Sequence, residues 1–415
     1  MTAVDDRLAA WAGSGAMALT GRADRPPLGP PWPLVERLVH VGEILASLGG
    51  GALPDPLALL GERAAISGLS RHGDVSCGGA TRLLPASDGW IAVSMARPDD
   101  VAAVPAWLEL DDGPADHWET IVRVVATRSA TALVDRAGLL GLPVAELGQR
   151  GERGQRGQRG RSTDPLFDDL PVLASAYGAA KRAPTNAATV VDLTSLWAGP
   201  LCGHLLQLAG AQVVKVESSA RPDGARRGPA AFFDLLNGGK ESVVVDLASN
   251  DGIAALRRLL LAADVVIEAS RPRALQQLGI DAPTLLTADA GPTVWISITG
   301  YGRDNGNATR VAFGDDAAAA GGLVVWDGAG PCFCADAIAD PITGIVGAAA
   351  ALRALASGRR WMIDVAMAGV AADLAGPTVA VPPAMRYQSP RARAVTTTAA
   401  PIGSDTRAVL AALAP

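Results

Sequence analysis

The chain lacks the features that would tie it to a membrane, a metal or a nucleic acid. No run approaches the roughly 18 uncharged apolar residues that a membrane span needs. The first residues carry Asp5, Asp6 and Arg7 where a signal peptide would have its apolar core, so no leader is expected. Cysteine is scarce: Cys77, Cys202, Cys332 and Cys334 form no CxxC pair, and the four histidines stand far apart. That spacing speaks against a zinc site, and no metal is expected. Reduced thiols and a cytoplasmic location are the expectation. A net charge of −6 gives nothing that attracts nucleic acid. Lysine is nearly absent beside abundant arginine, a pattern that follows genomic base composition rather than function. A GxGxxG fingerprint is missing after the first strand described below, so a plain dinucleotide site is not indicated.

What is present is a globular composition, 49% apolar and 19% charged over 415 residues, long enough for two or three domains. The most informative stretch starts almost halfway along, at Val190–Glu217, VVDLTSLWAGPLCGHLLQLAGAQVVKVE. An apolar run meets an Ala-Gly-Pro turn, then a helical stretch, Gly210 and a second apolar run. This is a β-turn-α-β unit, the usual opening of a doubly wound domain. Strands are expected at 189–193, 212–216, 242–246, 264–268 and 294–298, with helices at about 200–209, 251–262 and 273–278. The alternation defines an α/β fold with a parallel sheet.

Earlier segments read differently. Leu34, Leu38, Val39, Ile44, Leu45 and Leu48 have helical spacing. Residues 79–96 read as a hairpin turning at Asp88-Gly89. Residues 117–140 read as helices, with Ser129 as an N-cap and Gly141 as a stop. The run GQRGERGQRGQRGR at 148–161 reads as a flexible basic linker, or alternatively as a holder of phosphates. Residues 14–48 and 321–355 align without a gap at an offset of 307. Both begin with a small residue and Gly, and both end in an apolar helix, which suggests an internal duplication. The later copy has Asp340 where the earlier has Pro33.

Asp340 stands in AIADPITGIVGAAAALRAL, just before Pro341. One reading makes it the N-cap of the apolar helix. The other makes it a nucleophile toward a carbonyl or thioester, with backbone N–H groups of Gly321-Gly322 near the oxyanion. Local sequence leaves both open.

Five ordered segments carry a resemblance. They are the 190–217 unit, FDLLNGGKESVVVDL (233–247), DGIAALRRLLLAADVVIEASRPRALQQLGI (251–280), WISITGYGRDN (295–305) and AIADPITG. Together they resemble the family III CoA-transferases, also called the CaiB/BaiF family. The first half resembles other pieces of the same family in a rearranged order. SGAMALTGRADRPPLGPP resembles the glycine-rich region before the catalytic Asp, and residues 79–147 resemble the family's small domain. The resemblance implies a Rossmann-like parallel sheet with helices on both faces plus a smaller α+β domain. It implies this division: 1–70, a partial first copy of the region around the catalytic segment; 71–147, the small domain; 148–187, the linker; 188–366, the CoA-binding and catalytic domain; 367–415, a tail returning to the large domain.

The resemblance further implies that CoA moves between an acyl-CoA thioester and a carboxylic acid, through an aspartyl anhydride and an enzyme-CoA thioester. Asp340 is then the nucleophile, with Gly321 and Gly322 over the acyl group. No permanently bound cofactor is implied, and CoA or acyl-CoA enters as substrate. The implied CoA surface is Trp197, Ala198, Val245, Asp246, Leu247, Ala248, Ala269, Ser270, Arg271, Thr299, Gly300, Tyr301 and Gly302. Ala269 stands where the family usually has Asn, and Ser218 and Gln277 stand where an Arg often reaches the phosphates. Arg271 or Arg221 could take that role, or Arg271 could be a solvated surface charge. Lys240 could finish a turn, and His204 reads as a helix residue. Racemases of the family use a His-Asp pair, and the matching His position here is Gly314. An interlocked homodimer is implied. A non-catalytic CoA-binding or partner protein stands as the alternative.

Overall fold

The structure, a computed structural model, describes residues 3–50, 53–111, 116–148, 162–180, 187–270, 272–303 and 308–413. Most of the Gly/Arg run, residues 149–161, and Arg271 lie outside the described residues.

The N-terminal region is helical: α1 (Ala3–Ser14), α2 (Leu34–Gly49) and α3 (Glu62–Ser67). The apolar spacing of α2 buries Leu34, Leu38, Ile44 and Leu45, while Val39 and Leu48 fall on its outer face, each 40% exposed. Gly50 ends the helix in the left-handed region, at φ 63°. Next comes a small domain: β1 (Thr81–Pro85), β2 (Trp90–Ser94), α4 (Pro98–Ala102), α5 (Val104–Leu108), α6 (His117–Val125), α7 (Ala130–Leu140) and β3 (Val144–Glu146). The hairpin closes at Asp88-Gly89 with Pro85 opposite Trp90. Ser129 is the N-cap residue of α7, but its hydroxyl makes no capping bond. Asp88 reaches over from the hairpin and accepts from Ala130 N and Ser129 Oγ, both at 2.7 Å. A carboxylate competes better than a hydroxyl for these donors.

The large domain carries β4 (Leu173–Ala179), β5 (Thr189–Asp192), α8 (Ala198–Leu208), β6 (Gln212–Ser218), α9 (Ala230–Asn237), β7 (Glu241–Val245), α10 (Asn250–Ala262), β8 (Val265–Glu268), α11 (Pro272–Gln277), α12 (Ala282–Thr287) and β9 (Val294–Thr299). It continues through α13 (Gly314–Ala320), the hairpin β10 (Val324–Asp327) and β11 (Gly330–Phe333), α14 (Ala339–Ala356), β12 (Arg359–Ala366), α15 (Met367–Leu374) and α16 (Thr406–Ala412). Seven strands form one sheet in the order β4-β12-β9-β8-β5-β6-β7. All neighbours pair in parallel except β4, which runs antiparallel to β12 at one edge. All five expected strands are present. The span 162–180, expected as part of a linker, instead contributes β4 to this sheet.

Strand order reverses between β5 and β8, and in open α/β sheets ligands bind at the carboxyl ends of the strands at such a reversal. The continuous Val/Ile character of β5, β8 and β9 follows from burial on both faces. The outer edge, β7, is covered by the C-terminal tail. Asp405 Oδ2 accepts from Ser242 N at 2.8 Å, and Thr406 Oγ1 accepts from Val244 N at 2.9 Å. Side chains thereby occupy N–H groups that would otherwise template pairing with another strand.

Helix α14 is buried nearly all round, with Ile342, Ile345, Val346 and Ala348 to Ala351 inside. By length and composition it could cross a membrane, yet it carries Asp340 and Arg353 and 72% of it is inside the protein. It packs against α8, α2 and α15. Its small residues permit this closeness: a Cβ on Gly344 would meet Ala198 O at 2.6 Å.

At the offset of 307, α2 falls on 341–356, nearly the whole of α14, whereas the hairpin β10–β11 falls on residues 17–20 and 23–26, which form no strands. Beyond the aligned span, α1 falls on residues 310–321, which contain α13, and α3 on 369–374, inside α15. The two sets join in one core in which α2 lies along α14.

Candidate active site

The sheet topology brings Asp340 to the carboxyl edge. Helix α14 runs back from that edge to the start of β12, as α8 runs from the end of β5 to the start of β6. The two helix N-termini meet where Gly344 packs on Ala198. Asp340 is not an N-cap: Ile338 holds that position, and Asp340 lies in the first turn of α14. The chain turns into the helix two residues before Pro341, which frees the carboxylate from capping. A negative group in that turn is favoured by the helix dipole.

Gly314 lies against this carboxylate. A Cβ at 314 would come within 2.4 Å of Asp340 Oδ2 and 2.3 Å of Ala337 O, so only glycine fits. The Gly314 N–H also stabilises the Asp340 anion. Gly321 and Gly322 stand at the far end of α13. Gly321 packs on α15, where a Cβ would meet Ala371 Cβ at 2.6 Å, and Gly322 faces the backbone of Gly148. The glycine beside the acid is thus Gly314, at the opposite end of the helix from the pair expected there.

Around Asp340 gather Asp315 and Asp336, both buried, and Arg63. Asp336 Oδ2 accepts from Arg63 Nε at 2.8 Å, and Oδ1 accepts from Nη2 of the same residue. The guanidinium lies 5.1 Å over the Trp197 ring, which in turn meets Phe232 edge-on at 5.2 Å. Asp315 Oδ1 accepts from Ala337 N at 3.1 Å. Ala335 and Ala337, flanking Asp336, have φ of 54° and 41°, a conformation that costs an alanine about 1–3 kcal/mol.

Burial pushes Asp340 up to about 7; Asp315 and Asp336 add to the rise, and Arg63 and the Gly314 N–H oppose it. Asp315 is raised to about 6 by burial and Asp336, against Arg63, the Ala337 N–H and Ser76. Asp316 is raised to about 7, mainly by burial; its Oδ1 accepts from Phe313 N at 2.9 Å and from Ser94 Oγ at 3.1 Å. Burial and the same acids push the Cys77 thiol up, so it remains protonated. Among the described residues no group of His, Cys, Asp and Glu is arranged to hold a metal ion.

The expected CoA-facing segments share the same edge. Trp197 and Ala198 lie past β5, Val245 to Ala248 start at the last residue of β7, Ala269 and Ser270 follow β8, and Thr299 to Gly302 start at the last residue of β9. Asp246 turns its own loop, accepting from Ala248 N at 3.0 Å. Ser270 is held by Glu268, and Thr299 by Asp364 at 2.9 Å. Tyr301 lies under the Arg310 guanidinium at 4.2 Å, and burial together with Asp316 keeps its phenol protonated. Arg303 donates to Glu268 and to Ser297 Oγ, and its N–H meets Asp364 Oδ2 at 2.7 Å. This arginine therefore braces the edge.

The motif lysines build the turn that presents Trp197. Lys240 does more than finish a turn: it is buried, and its Nζ binds Asp192 at 2.9 Å, Pro200 O at 2.8 Å and Asn237 Oδ1 at 3.2 Å. Lys215 Nζ binds Thr194 O at 3.0 Å and Asp223 at 2.8 Å. Asp223 Oδ1 then accepts from Leu196 N at 3.0 Å, where the chain adopts φ 71°. Glu217 accepts from Asp223 N at 2.9 Å and from Arg226. Removing one partner of such a buried pair costs about 3–5 kcal/mol. His204 is a mostly buried residue of α8, lowered to about 3 chiefly by burial, and stays neutral.

Sequence reasoning missed Arg63, Asp336, Asp315 and Ser76. Arg63 and Asp336 are 273 residues apart, and no local pattern marks their meeting.

The site and sheet define an α/β protein with a carboxylate, raised by burial, at the carboxyl edge of a mostly parallel sheet. The chain belongs to CoA-transferase family III, whose family model matches residues 186–404. It is 31% identical over 210 residues to a succinate–glutarate CoA-transferase of Agrobacterium fabrum, covering 46% of this chain and 52% of the relative. It is 31% identical over 147 residues to a succinyl-CoA–D-citramalate CoA-transferase of Chloroflexus aurantiacus, covering 34% of this chain and 36% of that one. A CaiB/BaiF family protein structure from Brucella suis is 29% identical over 47% of this chain and 56% of its own, with a TM-score of 0.42. The chain spans about half the length, or less, of these curated relatives.

Proposed function

We propose that this chain moves CoA from an acyl-CoA thioester to a carboxylic acid, with Asp340 as the nucleophile. One observation carries the reading: a carboxylate in the first turn of α14, raised to about 7, stands at the carboxyl edge beside Trp197-Ala198. A carboxylate near this pKa is substantially ionised at neutral pH and more basic than an ordinary one.

In the first step a carboxylate oxygen of Asp340 bonds to the thioester carbonyl carbon. The C–S bond breaks, giving a mixed anhydride and CoA thiolate. The thiolate attacks the aspartyl carbonyl, releasing the donor carboxylate and leaving an aspartyl-CoA thioester. The acceptor carboxylate attacks this thioester and expels thiolate again. The thiolate then takes the acceptor acyl group and restores the Asp340 carboxylate. Charge is conserved throughout, so no external proton donor is required. The Gly314 N–H, already directed at Asp340, is suited to the oxyanion that forms on the aspartyl carbonyl.

Incubation with acyl-CoA followed by hydroxylamine or borohydride is expected to modify Asp340. Full CoA exchange by Asp340→Ala would overturn the assignment. A racemase reading is disfavoured because an imidazole at 314 would collide with Asp340. A second reading, a non-catalytic CoA-binding or partner protein, is favoured by Ala269, Ser218 and Gln277, which stand where the family resemblance calls for Asn and Arg. Binding of CoA without exchange for any of a broad acid panel would support it. We further place the chain in the cytoplasm as an interlocked homodimer, without a permanently bound cofactor; a monomeric mass in solution would refute the assembly.

A further inference from the structure

The first turn of α13 stands between two parts of the molecule that are far apart in the sequence. On one side lies the Asp340 segment. A Cβ on Gly314 would meet Asp340 Oδ2 at 2.4 Å and Ala337 O at 2.3 Å, and Asp315 Oδ1 accepts from Ala337 N at 3.1 Å. On the other side lies the small domain. Ser94, the last residue of β2, donates to Asp316 Oδ1 at 3.1 Å, and its Oγ stands 2.7 Å from Thr81 Oγ1 on β1. The same Asp316 oxygen accepts from Phe313 N at 2.9 Å. Thr81, Ser94 and Asp316 are all buried. Two further contacts join the residues before α13 to the small domain: Arg310 Nη2 donates to Val144 O of β3 at 2.9 Å, and the Arg97 guanidinium lies 5.4 Å over the Phe313 ring.

We propose that Asp316 and Ser94 are positioning residues, through which the small domain fixes the Phe313–Gly314 turn against Asp340. They act through Gly314 rather than on substrate. The consequence for CoA exchange rests on the reading of Asp340 as nucleophile; the ordering of the turn does not.

Glycine has no side chain to anchor it and the widest backbone freedom of any residue. Gly314 must nevertheless keep one place, because its backbone touches the Asp340 carboxylate with no room for a methyl group. A shift toward Asp340 collides with Oδ2, and a shift away breaks the contact. Asp316 limits both movements by reaching back to Phe313 N, as the acid of a capping box does. A carboxylate held by one donor can still swing about its own side-chain bonds. The Ser94 hydroxyl gives the same oxygen a second donor, and water is excluded from all three partners. Hydrogen bonds to a carboxylate are stronger in such a setting than in water. The clamp therefore belongs half to the small domain and half to the helix that carries Gly314.

The test reads two quantities in the full chain: deuterium uptake over residues 311–318 by mass spectrometry, and steady-state CoA exchange. Ser94→Ala and Asp316→Ala are each expected to speed uptake there by about tenfold, the loss of a buried hydrogen bond. Each should lower kcat by about 10–100-fold, as small misplacements near a reacting group do, with KM for the acyl-CoA little changed. Asp316→Asn keeps an acceptor oxygen for both donors and should restore uptake and kcat toward wild type. Unchanged uptake in the two alanine variants overturns the inference, and so does an equal loss in Asp316→Asn. An unchanged kcat in both, where Asp340→Asn abolishes exchange, overturns it as well. If Asp316→Ala does not fold, Ser94→Ala decides. Full exchange in Asp340→Asn would sink the nucleophile reading alone, and uptake then judges the clamp by itself.

Discussion

Residues 3–67 and 310–374 pass through matching helices, yet every acid at the site lies in the second of them. At the offset of 307, Asp340 falls on Pro33, Asp336 on Gly29, Asp315 on Leu8 and Asp316 on Ala9. The glycines needed for close approach, Gly314 and Gly344, fall on Arg7 and Arg37. The exchange runs the other way at one place: Arg63 falls on the buried Val370. Residues 310–374 hold Asp340 and the acids around it, while residues 3–67 supply α2, which packs along α14, and Arg63, which pairs with Asp336. Matching helices therefore do not imply matching sites, because packing depends on apolar spacing and chemistry on a few named residues.

The sharpest way to break this comparison is at its reactive position. Asp340→Asn is expected to lower CoA exchange by roughly 10⁴-fold or more, measured with an acyl-CoA donor and a panel of acids. Pro33→Asp in that background is expected to restore nothing, since the acids that share its pocket, among them Glu36 and Glu43, are mostly open to water and would not hold a carboxylate as Asp340 is held. Restored exchange would mean the first copy is still a site. Next in size is Gly314→Ala, where the new methyl meets both Ala337 O and Asp340. Overpacking of this kind costs about 1–3 kcal/mol, readable by chemical denaturation, and exchange should fall with it.

Much of the large domain was legible because parallel strands buried on both faces must be continuous apolar runs: VVD, QVVKVE, ESVVV, VVIE and VWISIT. β4 was not legible, since Leu173–Ala179 is mostly exposed and carries Gly178, and its place depends on β12 beside it. The similarity of 14–48 to 321–355 was legible as weak spacing, and of the elements inside that span α2 and α14 correspond while β10 and β11 have no counterpart among the described residues. Asp340 was legible as a candidate only through its motif. Local signals around Pro341 suggested a cap, whereas the chain turns at Ala339. Arg63 was illegible for a different reason: an isolated arginine in LLGERAAIS reads as surface charge, and only tertiary packing brings it to Asp336. The packing of Gly321 on Ala371 and of Gly322 on Gly148 was not legible, because glycine marks close packing as readily as a substrate loop.

The acidic copy should also show itself in pH dependence. Exchange that requires ionised Asp340 rises with pH through about 7 and falls toward tenfold per unit below it. Stability has the opposite slope. Asp315, Asp316 and Asp340 are all raised in the folded chain, to about 6, 7 and 7, so the native state binds more protons than the unfolded one above pH 4. Their contribution is complete below the unfolded pKa and is lost as pH rises through the folded values. Denaturation midpoints are expected to fall between about pH 4 and 7 in wild type, and the slope should flatten in the Asp315→Asn, Asp316→Asn double variant. An unchanged slope would mean that these acids are ionised throughout.

The smallest effect belongs to Arg7, the counterpart of Gly314. Its Nη2 pairs with Glu36 at 2.7 Å, and its guanidinium lies 4.7 Å over Trp32, but Glu36 is 59% exposed and water competes for both partners. Exposed pairs of this kind contribute about 0–1 kcal/mol, and salt weakens them further. Arg7→Ala should therefore change stability by less than about 1 kcal/mol and leave exchange untouched. The same structural position would then tolerate a long cation in one copy and refuse a methyl in the other. A large loss of exchange in Arg7→Ala, with stability unchanged, would instead give the first copy a part in the chemistry.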